Sequence, residues 1–110
     1  MPRDYLTDFE LMLLLAVLRV GDEAYGVPIA RAIEAVGERR VMLAAVYAGL
    51  DRLERNGFVA TTTGTPTPER GGRAKKYFRV TPDGLRAARQ AQRAFTRLWT
   101  GIPELRGERP

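Results

Sequence analysis

Apolar residues enter the chain first as a block. Leu11 to Leu18 reads Leu-Met-Leu-Leu-Leu-Ala-Val-Leu, closed by Glu10 and Arg19. Just ahead, Thr7-Asp8-Phe9-Glu10 carries a helix-start signature. The Thr hydroxyl can accept from free backbone N–H groups of the first turn, while Glu10 reaches back to the N–H of the capping residue. Leu6 and Leu11 stand where a hydrophobic staple would place them. The pattern predicts a helix from Thr7 to near Gly21 that is apolar nearly all round. One face must then pack inside the domain and another must be covered by something else, which a second copy of the chain would supply. The block is far short of the ~20 apolar residues that a membrane-spanning helix needs.

After the turn at Gly21-Asp22-Glu23 the apolar positions fall into helical spacing. Tyr25 to Val36, ended by Gly37, predicts a second helix with Pro28 in its first turn, where no hydrogen bond is lost. Ile29, Ile33 and Val36 form one stripe. Arg39-Arg40-Val41 reads as a short extended link. Leu43, Val46, Leu50 and Leu53 then recur at three and four residues, predicting a third helix from about Leu43 to Arg55, stopped by Asn56-Gly57. These four should face inward, leaving Ala45, Ala48, Gly49 and Arg52 on the opposite side. Met42 stands at the head of this helix and cannot cap it through its side chain.

Past Gly57 the period changes. Phe58 to Thr63 is rich in β-branched residues, and Lys76-Tyr-Phe-Arg-Val80 suits a strand. Between them, Gly64 to Lys75 holds the Pro and Gly residues of a hairpin tip. Thr81-Pro82-Asp83 then caps a last helix carrying Leu85, Ala88, Phe95, Leu98, Trp99 and Ile102, which ends near Gly101 and Pro103. Residues 104–110 read as a charged, frayed tail.

Composition narrows the chemistry. In 110 residues there is no Cys, His or Ser, which removes disulfides, thiolate and imidazole metal sites, and the usual nucleophile and base of a catalytic triad. The length suits one domain, and the reading is not an enzyme and needs no cofactor or metal. The net charge of +5 is unevenly placed: residues 1–38 hold three basic against seven acidic side chains, and residues 39–110 hold fifteen against six. Such asymmetry points to a polyanion, nucleic acid first and an anionic membrane surface second. The amino-terminal residues show no cleavable leader pattern, so the expected location is cytoplasmic.

Helix, helix, helix, hairpin, helix is the order of a winged helix-turn-helix followed by a C-terminal helix, an α+β fold that is mainly α. Its third helix would enter the major groove while the hairpin tip reaches the flanking backbone. Small side chains on that helix permit close approach to base edges, and alanine methyls can touch thymine methyls. The tip supports this, since Glu69 to Lys76 carries four basic residues and one acidic residue.

Several motifs in order resemble one family: Tyr25-Gly26, Val46-Tyr47, the run Leu50 to Val59, Glu69-Arg70-Gly71-Gly72-Arg73, and Tyr77 to Gly84. Together, over about residues 8–90, they resemble the PadR family of bacterial transcriptional regulators. The Leu50 to Glu54 run alone would also fit MarR-type winged helices. The chain resembles the smaller PadR subfamily, which implies a homodimer joined through the last helix of one chain and the first helix of the other. It also implies that Arg70, Arg73, Lys75 and Tyr47 contact DNA, with Ala44, Ala45 and Ala48 beside them. An effector site is implied at Phe95, with Trp99 one turn on, for a flat aromatic compound; the alternative is that both aromatics only pack the dimer.

The expectation is thus a ligand-responsive repressor that binds a palindromic operator in double-stranded DNA as a homodimer. Residues 1–80 would form the DNA-binding domain, 81–103 the dimerisation helix and 104–110 the tail. Arg40, Ala44, Ala45, Tyr47, Ala48, Arg52, Arg70, Arg73, Lys75 and Lys76 would meet DNA. Leu11, Leu14, Leu15, Leu85, Ala88, Phe95, Leu98 and Trp99 would form the dimer interface, and no membrane is involved. The rival class is a winged-helix adaptor that binds protein partners, which would have no need of four basic residues at the hairpin tip.

Overall fold

The computed structural model describes residues 6–37, 40–64 and 75–106. Helix α1 spans Asp8–Val20 and begins with the expected capping box. The Glu10 amide donates to the Thr7 hydroxyl at 3.1 Å, and the Thr7 amide donates to Glu10 Oε1 at 3.0 Å. Gly21 closes the helix at φ 79°, a left-handed conformation that glycine adopts without steric cost. A short 3-10 turn over Gly21–Glu23 leads to α2, Gly26–Gly37, and then to α3, Leu43–Arg55. Met42 caps α3 in extended conformation without any side-chain hydrogen bond.

The three helices pack around Leu13, Leu14, Ile29, Val46, Leu50 and Leu53, all fully buried. Two expected core positions lie outside it. Val36 and Leu43 have the right helical phase, but Val36 sits in the last turn of α2, where Ala35 and Gly37 are exposed too, and Leu43 sits in the equally open first turn of α3. Phase decides which way a side chain points; the position along the helix decides whether anything stands opposite. Gly49 departs the other way. It is buried, and α3 crosses α1 so closely there that a Cβ would overlap a terminal carbon of Leu13.

Strands β1, Val59–Thr63, and β2, Lys76–Val80, pair antiparallel with Val59 opposite Val80 and Thr63 opposite Lys76. Phe78 plugs the core, and its amide donates to the Ala24 carbonyl at 2.8 Å, tying the hairpin to the segment before α2. Helix α4, Pro82–Trp99, starts at a doubly used Thr81. Its hydroxyl accepts from the Gly84 amide at 3.0 Å and donates to the Gly57 carbonyl at 2.6 Å. Only Gly84, Ala87 and Ala88 of α4 are buried, and from Gln92 to Trp99 every residue is exposed. Where a frayed tail was expected from residue 104, Pro103–Leu105 forms a 3-10 turn, with the Leu105 amide donating to the Ile102 carbonyl at 3.1 Å.

Candidate nucleic-acid interface

Helix α3 presents an open front. Met42, Leu43, Ala44, Ala45, Tyr47 and Ala48 are exposed, and Arg40 is exposed just ahead of them. Tyr47 lies across the start of α2, where a Cβ on Gly26 would collide with its hydroxyl. The Tyr25-Gly26 pair therefore has a physical reason: glycine makes room for the ring that joins α2 to α3. Tyr25 serves the hairpin side. Its ring and that of Tyr77 meet edge to face, with centroids 5.8 Å apart and planes at 86°, and the Lys75 ammonium stands 4.3 Å from the Tyr25 centroid. Ala24, Tyr25 and Gly26 thus hold β2, the hairpin lysine and the α3 tyrosine in one register.

Arg52, placed on the outer face by sequence, is half-exposed and already engaged within the chain. Its Nε donates to Glu10 Oε2 at 3.2 Å, and the Glu10 side chain is buried. A buried carboxylate needs such partners, because desolvating its charge is costly unless it is paired and hydrogen-bonded. Arg52 thereby ties α3 to α1, a role missed from sequence, where Glu10 was read only as a capping residue. Lys76 is likewise engaged, 3.5 Å from Glu54 Oε1, while Glu54 Oε2 accepts from the Thr61 hydroxyl at 3.1 Å. Arg70 and Arg73 lie outside the described residues.

Away from α3, which contributes no residue to its lining, an apolar groove of about 400 Å³ lies between α1 and α4. Leu11, Leu15, Leu18, Leu85, Ala88 and Phe95 line it, with Arg89, Gln92 and Thr96 at its polar margin. Leu14 does not face it. As a fully buried member of the protomer's own core, Leu14 is unavailable to a partner, contrary to the sequence reading. The large apolar α1 residues that remain exposed are Leu15 and Leu18. Beyond the groove, Leu98 and Trp99 are 73% and 60% exposed. Among the described residues no group of three or more acidic side chains could hold a metal ion, and no helix is long and apolar enough to cross a membrane.

Three helices, an antiparallel hairpin and an open third helix beside that hairpin define a winged helix-turn-helix DNA-binding protein. Residues 14–90 match the model of the transcriptional regulator PadR-like family, and the chain belongs to that family. Its members regulate transcription and are not enzymes. A PadR-like transcriptional regulator from Bacillus cereus superposes with a TM-score of 0.70 at 19% identity, over 92% of this chain and 93% of its own. A PadR family transcriptional regulator from Eggerthella lenta gives 0.67 at 23% identity, over 89% and 83%. A complex structure of RosR from H. salinarum gives 0.66 at 21% identity, over 92% and 80%. At these identities the structural likeness speaks for the fold alone. No curated protein matches the sequence.

Proposed function

We propose that this DNA-binding regulator acts as a homodimeric, ligand-responsive repressor of the smaller PadR type, on a palindromic operator, in the cytoplasm where the duplex lies. The observation that carries the dimer is the uncovered groove between α1 and α4, continued by Leu98 and Trp99. Residues 1–80 are the DNA-binding unit and 81–103 the dimerisation helix. A two-fold axis through α1 and α4 would present two α3 helices, so half-sites should lie about one helical turn or a multiple of it apart. Contacts come from Arg40, Ala44, Ala45, Tyr47, Ala48 and Lys75, together with Arg70 and Arg73 of the tip. Lys76 and Arg52 can add charge only as far as their carboxylate partners allow.

The effector reading rests on Phe95, which lines the groove; Trp99 stands one turn further, outside it. A planar cationic dye should quench the fluorescence of Trp99 in the dimer and release DNA. The test of the whole reading is a titration of labelled duplex DNA at rising salt. Affinity should fall by about 10³-fold or more between roughly 50 and 200 mM if the dimer neutralises six or more phosphates. A flat salt dependence would overturn it.

A further inference from the structure

The front of α3 poses a problem that folding does not solve. Met42 is 74% exposed and Leu43 41%, so neither is a full core residue. Met42 also makes no capping hydrogen bond at a position where Asp, Ser, Thr or Asn would stabilise the helix. Two large apolar side chains therefore occupy water-facing places at the head of a recognition helix, the end that meets base edges when such a helix enters the major groove. From Met42 to Leu50 there is no Arg, Lys, Asn, Gln, Asp or Glu, so no side chain can pair bidentately with a base edge. The next charged residues, Asp51 and Arg52, are bound to Arg55 and Glu10.

In the major groove an A·T pair offers one apolar feature that a G·C pair lacks, the thymine C5-methyl group. We infer that Met42 and Leu43 read thymine methyls in the operator, making sequence preference here a hydrocarbon contact rather than a hydrogen-bond code. Exposed Arg40, two residues before Met42, and Lys75 on the hairpin supply positive charge at the flanks of this front, where phosphates border the groove. The inference rests on the DNA-binding reading above and assigns its specificity.

Deoxyuridine isolates the contact, since it differs from thymidine only by that methyl. A duplex selected by the protein from a random pool is resynthesised with single thymines replaced by deoxyuridine, and affinity is compared. One or more positions in each half-site should lose about four-fold, the equivalent of burying one CH₂. Met42→Ala and Leu43→Ala should shrink that ratio toward one while leaving the salt slope unchanged, because neither side chain meets a phosphate. Their exposure lets both variants keep the fold, checked by far-UV circular dichroism. A selected site without thymine in either half, full affinity for uridine duplex, or an undiminished ratio in both variants would overturn the inference while salt-steep binding upholds the reading beneath it. Failure to bind any duplex at low salt would overturn both.

Discussion

Leu50 and Leu98 are the same residue on two helices of one small protein, and they end in opposite surroundings. Leu50, in the winged-helix body, is completely buried between α1, α2 and α3, whereas Leu98, in the outer half of α4, is 73% exposed. The difference does not come from helix quality. In α4, Arg86, Arg89, Arg93 and Arg97 follow one another at three and four residues and form a polar stripe. Leu85, Ala88, Phe95 and Trp99 lie on the opposite side. That pattern is the amphipathic one seen in helices that bury a face, yet the only buried residues of α4, Gly84, Ala87 and Ala88, lie in its first turns. A body that closes its own core holds the DNA-binding shape, and a helix that leaves its apolar face open matches the dimerisation proposed above.

Substitutions should separate these tasks. Leu50→Ala attacks the body and should cost about 2–5 kcal/mol, because the methyl groups removed leave a cavity that packing only partly refills; urea unfolding measures it, and DNA binding should fall with it. Arg52→Ala comes next, at about 1–3 kcal/mol, since it removes the charged hydrogen bond between Arg52 Nε and the buried Glu10 carboxylate. Unchanged stability together with a shallower salt slope of DNA binding would instead make Arg52 a phosphate contact. Thr81→Ala removes the α4 cap and the bond to Gly57, an expected loss of about 1 kcal/mol. Leu98→Glu should change protomer stability by no more than about 0.5 kcal/mol, as for exposed sites generally. It should nevertheless convert the protein from dimer to monomer in sedimentation, and a dimer that survives the change would place the interface elsewhere.

What the sequence revealed, and what it hid, follows the range of the interactions. The Thr7–Glu10 box, the Thr81 cap and the bounds of α3 rest on residues within a turn of each other, and all were legible. The Arg52–Glu10 pair joins residues 42 positions apart, so no local pattern announces it. Leu14 was assigned to the dimer because α1 is apolar on every side, and periodicity cannot divide such a helix into faces. Gly49 was placed outside, and in helical phase it does fall at the edge of the stripe, about 40° beyond Leu53; its burial against Leu13 reflects how near α1 approaches, which only the assembled helices determine. Lys76 counted as free charge, but the packing of the hairpin beside α3 brings it 3.5 Å from Glu54.

The division of tasks can be tested in one measurement, the stoichiometry of the DNA complex by sedimentation velocity with a labelled selected duplex. If the outer half of α4 is covered by a second copy, the wild-type complex forms in one step with two chains per duplex, and Leu98→Glu yields no two-chain complex at the same concentration. A stable complex with a single wild-type chain, or a two-chain complex that Leu98→Glu forms equally well, would contradict the account.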